Sequence, residues 1–360
     1  MPLRFAINGF GRIGRALLRV AWSRPGLEVT ALNDVAPVRQ LAPLLARDSA
    51  HGAFGASVTA AADGGALWID GRRIPCFQEA EPARVPWGKA GVQVVVEATG
   101  RFLRRSEAAA HLRDGVRAVV LSANADPAEP ADRTLCLGVE APPWDPQRQP
   151  VISNSSCTTY CLALVAKVLH DAFGVRRALM STVHSYTENQ RLLDLPHPDP
   201  RRARAAAMNI VPTSTTAARA VGLILPALAG RIDGFAVRVP TPVVALLDLT
   251  AELDRDASAE AVREAYRAAA AGPLAGLLGV SDDELVSSDF VNDPRSAVVD
   301  LPLVQVVGER LVRVVAWYDN EWGYANRLAD LLERIAGTPH PRPLSHLPPT
   351  PPPGEGRDSG

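Results

Sequence analysis

Apolar residues recur along this chain in two rhythms. In the first half, short unbroken apolar runs predict buried parallel strands at Leu3 to Asn8, Glu28 to Asn33, Val92 to Glu97, Ala118 to Ser122 and Leu135 to Gly138. Helical spacing through Ile13, Ala16, Leu17 and Val20, and again over Arg105 to Leu112, predicts helices between them. Such alternation builds an open parallel sheet with helices on its faces. Val151-Ile152 reads as the end of a further buried strand, and Cys161, Leu162, Val165, Leu169 and Phe173 then follow at helical spacing.

Beyond that helix the rhythm changes. Longer strands with polar residues on alternating positions are predicted at Arg177 to Ser185, Gly234 to Val239, Val243 to Leu253, Leu303 to Val307 and Leu311 to Tyr318, with helices near Thr215 to Leu225 and Ser258 to Ala271. The fold class is therefore α/β: a Rossmann-type parallel-sheet domain plus an α+β domain with a mostly antiparallel sheet. An amphipathic helix over Glu321 to Ala336 closes the folded part, ended by Gly337 and Pro339. The expected division is a first domain over 1–156 completed by the helix 321–337, a second over 157–320, and a disordered Pro-rich tail over 338–360. Asp126 to Pro150, rich in Pro and Asp, is expected to carry the chain between the halves.

The first strand leads straight into Gly9-Phe10-Gly11-Arg12-Ile13-Gly14 and a helix. That is the order a dinucleotide fingerprint needs: Gly9 for the tight turn, Gly11 for close approach to a pyrophosphate, Gly14 for packing of helix on strand. The second strand ends at Asp34, placed to accept hydrogen bonds from ribose hydroxyls and to repel a 2′-phosphate, so the cofactor expected is NAD and not NADP. Thr99, Gly100 and Ser122 sit just past strand carboxyl ends, where ligands of such sheets bind.

A thiol falls where a helix start can activate it. In Ser153-Asn154-Ser155-Ser156-Cys157-Thr158-Thr159 the cysteine lies in the first helical turn, with Ser155 and Ser156 as N-cap candidates, and free N–H groups there favour a thiolate. His184, near the end of the strand Arg177 to Ser185, is the candidate partner. The other cysteines, Cys76, Cys136 and Cys161, are expected to pack, and no metal site is expected. A net charge of −1 points to no nucleic-acid partner. No apolar run approaches the roughly 18 residues that span a bilayer, and the amino terminus lacks a signal-peptide core, so a cytoplasmic location is the default. The stretch Tyr186 to Asn209, with three prolines and four arginines, is a long irregular loop expected to be functional or an interface.

Over about its first 337 residues the chain resembles the phosphorylating glyceraldehyde-3-phosphate dehydrogenase family. The resemblance is carried by the glycine and cysteine motifs together with His184-Ser185-Tyr186-Thr187, Arg201-Arg202-Ala203-Arg204-Ala205-Ala206, Arg238-Val239-Pro240-Thr241-Pro242 and Trp317-Tyr318-Asp319-Asn320-Glu321-Trp322-Gly323-Tyr324. It implies a homotetramer in which Cys157 attacks the aldehyde, hydride passes to NAD and inorganic phosphate cleaves the thioester. His184 would form an ion pair with the thiolate and supply acid and base. Thr187 and Arg238 would bind the substrate phosphate, and Ser156, Thr158, Thr215 and Thr216 would surround the attacking phosphate. Asn320 would hold the nicotinamide carboxamide, with Tyr324 beside it, and Leu195-Pro196 matches the NAD-type form. The alternatives are an erythrose-4-phosphate dehydrogenase, or a divergent NAD-binding paralogue with a regulatory role. Four residues depart from the family pattern: Tyr160 replaces an asparagine, Thr216 a glycine in the phosphate pocket, Val243 an asparagine and Pro200 a leucine. The side chain of Thr216 stands where its N–H approaches an anion, so weaker phosphate binding is expected.

Overall fold

The computed structural model describes residues 1–139, 145 and 147–337. The expected tail, 338–360, and part of the crossing segment fall outside the described residues.

The apolar runs of the first half assemble into one nine-stranded sheet. Leu3–Asn8 lies centrally, paired in parallel with Leu27–Asn33 on one side and Val94–Glu97 on the other. Ala118–Leu121 and Val151–Ser153 continue the parallel series. Because both faces of these strands are covered, their side chains are almost wholly buried. On the far edge Arg72–Phe77 joins in parallel and carries two antiparallel strands, Ala66–Ile69 and Val58–Ala60. The sequence pattern does not mark this ribbon: Val58–Ala60 and Arg72–Phe77 are short or partly exposed, and Ala66–Ile69 is a four-residue, mostly buried strand, so none shows a sustained period.

Leu135 to Gly138 is not a strand. The pairing segment is Arg133–Thr134, and Leu135, Cys136 and Leu137 are buried in irregular chain beyond it. A fully buried apolar run has the same pattern in either conformation.

The second sheet has eight strands and is mixed, with most pairings antiparallel. Val175–Ser185 runs antiparallel to Ala245–Leu253 but parallel to Ile232–Val239. Pro302 turns Leu301–Leu303 into a short 3₁₀ helix, so only Gln305–Val307 of the expected strand pairs.

Two helices join the halves. Cys157–Phe173 is buried along nearly its whole length and follows directly on the last strand of the first sheet. Trp322–Ile335 follows the last strand of the second sheet but returns to the first helix, Arg12–Trp22, where Arg24 pairs with Asp330 at 2.5 Å and Glu333 at 3.0 Å. Among the described residues no helix is long and apolar enough to cross a membrane.

Candidate active site

A single continuous cleft of about 1900 Å³ runs from the glycine loop to the start of the cysteine helix. It is lined at one end by Gly9 through Ile13 and Asp34, at the other by Ser156, Cys157, His184, Thr187, Thr215, Thr216 and Arg238, and between them by Thr99, Gly100, Ser122, Asn320 and Tyr324. Of the predicted residues, Gly14 alone does not reach it.

The three glycines of the loop have different reasons. A Cβ on Gly9 would lie 2.6 Å from the backbone nitrogen of Thr99, and one on Gly14 would lie 2.2 Å from the carbonyl oxygen of Gly9. A Cβ on Gly11 would meet nothing within 4 Å. Packing therefore dictates Gly9 and Gly14, whereas the free approach over Gly11 is the space a pyrophosphate would take. Asp34 accepts hydrogen bonds from the N–H groups of Phe10 (2.6 Å) and Ala36 (2.8 Å), which fixes its carboxylate beside the loop. Beneath it a buried polar network was invisible to the sequence reading: Asn33 donates to Asn8, Asn8 to Glu97, and Glu97 also accepts from Thr99 and contacts His111 at 3.1 Å. The indole of Trp87 donates to the other nitrogen of His111, whose Nε2 therefore carries the proton directed at Glu97.

Asn320 closes the middle of the cleft. Its carbonyl oxygen accepts from Ser185 at 3.2 Å, which leaves its amide protons for a ligand carboxamide. The next residue, Glu321, accepts from Arg12 of the glycine loop and contacts His51 at 2.9 Å, while Arg12 also pairs with Asp48 at 2.5 Å. These neighbours raise the Arg12 and His51 pKa values against the pull of burial, and they hold Asp48 down at about 2 despite desolvation. The glycine loop and the Asn320 turn are thereby clamped by charge. Tyr324 lies against the cleft, but its hydroxyl is occupied by the carbonyls of Asn154 (3.4 Å) and Ser155 (3.1 Å), so only its ring is free for a ligand.

The thiol sits on a braced turn. Ser156 is the N-cap and accepts from the Thr159 N–H at 3.2 Å. Ser155 is held at φ +55, a strained conformation for a residue with a Cβ, by its hydroxyl donating to Leu135 at 2.8 Å. Tyr160 supports the turn from below, its hydroxyl donating to Asn154 at 2.8 Å and accepting from Leu137 at 3.3 Å. This departure from the family pattern is thus a brace and not a reacting group. Val243 packs with Phe290 and Val298, off the cleft lining.

Two neighbouring parallel strands bring His184 and Arg238 to the same register position, 54 residues apart in sequence. Nε2 of His184 lies 3.8 Å from the Cys157 sulfur; with Nδ1–H donating to the carbonyl of Ser185 at 2.8 Å, Nε2 is the nitrogen left to accept a proton, and Nη1 of Arg238 stands beside Nδ1 at 2.7 Å as a neighbouring charge. Tyr318, which sequence reasoning did not single out, locks the helix start to the sheet: its hydroxyl bonds Thr158 and Thr182, both at 2.9 Å.

Electrostatics correct one expectation. Burial pushes the Cys157 thiol up; the Thr158 hydroxyl, the charge of Arg238 and the N–H groups of Thr158 and Cys157 at the helix start all favour the thiolate but do not outweigh that burial. Burial and Arg238 push His184 down to about 3. Each charge alone is disfavoured, but moving one proton from sulfur to Nε2 creates both together, and the two then offset one another across 3.8 Å. Thiolate formation is therefore a property of the pair. Cys76, pushed up to about 12, and the wholly buried Cys161 have no such partner.

The family model "Glyceraldehyde 3-phosphate dehydrogenase, NAD binding domain" matches residues 3–105, and "Glyceraldehyde 3-phosphate dehydrogenase, C-terminal domain" matches 156–320. Glyceraldehyde-3-phosphate dehydrogenase 1 of Bacillus subtilis (strain 168) is 49% identical over 336 residues, 93% of this chain and 99% of the relative. The chain belongs to the glyceraldehyde-3-phosphate dehydrogenase family. Similar identity extends to glyceraldehyde-3-phosphate dehydrogenase 2 of Streptomyces arenae (50% over 339 residues, 94% of this chain and 100% of the relative) and to the Geobacillus stearothermophilus enzyme (48% over 336 residues, 93% and 99%). Membership makes residues 3–105 part of an NAD-binding domain of that family. The open approach over Gly11, the anchored Asp34 and the free amide of Asn320 fit such a cofactor.

Proposed function

We propose that the protein oxidises glyceraldehyde 3-phosphate with NAD and captures the product as the acyl phosphate 1,3-bisphosphoglycerate, by way of a thioester on Cys157. The observation that carries this reading is the Cys157–His184 pair, 3.8 Å apart, in a cleft continuous with a dinucleotide loop. The Cys157 sulfur bonds the aldehyde carbon, and its proton passes through Nε2 of His184 to the aldehyde oxygen, giving a hemithioacetal. Bound NAD supplies the hydride acceptor. His184 takes the hydroxyl proton as the carbon is oxidised, leaving the thioester. An oxygen of inorganic phosphate then bonds the carbonyl carbon and the Cys157 sulfur leaves.

In this reading Thr187 and Arg238 grip the phosphate of the aldehyde, and Ser156, Thr158, Thr215 and Thr216 surround the attacking phosphate. Gly9 to Gly14, Asp34, Thr99, Gly100, Ser122, Asn320 and the ring of Tyr324 form the cofactor site. The chain divides into an NAD-binding domain over 1–156, completed by 321–337, and a catalytic domain over 157–320. A homotetramer in the cytoplasm is part of the proposal. The assembly is supported by exposed Leu192, Leu193 and Leu195 on the loop Tyr186 to Asn209, and by exposed Leu179 and Phe235 on strands of the second sheet.

The test is NADH absorbance with purified protein, NAD, phosphate and either glyceraldehyde 3-phosphate or erythrose 4-phosphate. The triose is expected to be the better substrate by kcat/KM; a preference for the tetrose, or no NADH from either, overturns the reading. Light scattering after size exclusion is expected to give four chains.

A further inference from the structure

Asn124 lines the cleft but has no part in the roles above. It follows the strand Ala118–Leu121 at the carboxyl edge of the first sheet, whereas Thr216 heads the helix Ala217–Ile224 beside the second. Their side chains meet across the cleft: Nδ2 of Asn124 donates to Oγ1 of Thr216 at 3.0 Å, between residues 92 apart in sequence. The same amide approaches Oγ1 of Thr159 at 3.5 Å, and Thr159 contacts the Ser156 hydroxyl at 2.7 Å. A line of polar groups thus runs from the residue before Cys157 to the far wall of the cleft.

The direction of the Asn124–Thr216 bond matters. An amide N–H only donates, so it occupies a lone pair of the threonine oxygen and leaves the hydroxyl proton to point elsewhere. Among the described residues Asn124 Oδ1 is buried without a partner. Turning the amide around would bury its N–H groups there instead, and orphaned N–H groups are rarer in proteins than under-used carbonyls. Thr216 is exposed and lines the cleft, and among the described residues its hydroxyl donates in no side-chain hydrogen bond. Its hydroxyl therefore faces the cleft as an oriented donor.

Resting on the function proposed above, we infer that Asn124 is a positioning residue for phosphate capture: it aims the Thr216 hydroxyl at the inorganic phosphate that cleaves the thioester. Thr216 then adds a donor to that pocket instead of obstructing it, and the two halves of the chain both contribute to holding the acyl acceptor.

Steady-state kinetics with phosphate varied test this, using Thr216→Val, Thr216→Ser, Asn124→Ala and the double variant Asn124→Ala/Thr216→Val. Loss of a hydrogen bond to a charged group predicts a KM for phosphate raised about tenfold in Thr216→Val. Thr216→Ser, which keeps the hydroxyl, is expected to stay near wild type. Asn124→Ala is expected to raise the same KM by about threefold, and the double variant to be no worse than Thr216→Val alone, since Asn124 acts through Thr216. KM for the aldehyde is expected to change less than KM for phosphate in each variant, and circular dichroism with thermal unfolding reports that each is folded. An unchanged or lowered phosphate KM in Thr216→Val, or additive effects in the double variant, overturns the inference. A wild-type protein with no phosphate-free burst of NADH overturns the function on which it rests.

Discussion

The two ends of the cleft are made of different material. At the Asp34 end the surface is mostly backbone, shaped by glycines whose hydrogens face the Thr99 and Gly9 peptide groups and fixed by Asp34 accepting main-chain N–H groups. At the Cys157 end it is mostly side chains, each delivered by a different element: the sulfur by a helix start, His184 and Arg238 by adjacent strands, and Tyr318 by a third strand behind them. A backbone surface holds a large ligand by shape and tolerates change wherever a Cβ has room. A side-chain surface performs chemistry and loses it one group at a time.

That contrast is broken most directly at the thiol. Cys157→Ser is expected to reduce kcat by on the order of 10⁴-fold or more, since the nucleophile and its base act as a unit. NAD binding, read by protein fluorescence, is expected to survive; loss of both together would mean that the ends are not separable. His184→Asn is expected to cost about 10² to 10⁴ in kcat. It also removes the acceptor that offsets burial of the thiol, so the pH midpoint for alkylation of Cys157 by iodoacetamide should rise. An unmoved midpoint would show that His184 does not share the thiol proton. In the wild-type protein Cys157 should be alkylated well before Cys76, Cys136 and Cys161, as peptide mapping would show.

The ends also differed in how far the sequence exposed them. Gly9 to Gly14 and Asp34 were legible because strand, turn and helix are contiguous and glycine has few other reasons to recur at that spacing. The N-cap serine and the helix carrying Cys157 were readable for the same local reason. His184 could be named a candidate, but its distance from the thiol is set by pairing of strands far apart in sequence, and the family resemblance had to supply the link. Tyr318, the Asn8–Asn33–Glu97–His111 network and the Asn124–Thr216 bond left no local signal, since each depends on residues from separate elements. The Rossmann-type parallel strands and the mostly antiparallel character of the second sheet followed from period and length, whereas its two parallel pairings and the irregular path of Leu135 to Gly138 did not.

At the backbone end the glycines themselves sharpen the comparison. Gly14→Ala forces a Cβ against the Gly9 carbonyl and is expected to destabilise the protein by about 1–3 kcal/mol, measured by denaturant unfolding. Gly11→Ala meets no protein atom, so it should fold normally and weaken NAD binding alone. Equal stability losses in the two variants would refute the assignment of separate reasons. A smaller effect is expected from the charge clamp. The folded-state pKa of Asp48, about 2, lies below the ordinary carboxylate value, so its contribution is complete above about pH 4 and lost as pH falls through 2. After allowance for solvent screening this is about 1 kcal/mol, and Asp48→Asn should flatten that part of the acid-unfolding curve.

The central claim is a thioester on Cys157 that only phosphate releases quickly, and a stopped-flow burst reads it directly. Enzyme, NAD and glyceraldehyde 3-phosphate mixed without phosphate should give a rapid burst of about one NADH per chain and then a slow rate, with steady turnover restored on adding phosphate. No burst, or full turnover without phosphate, would contradict the account.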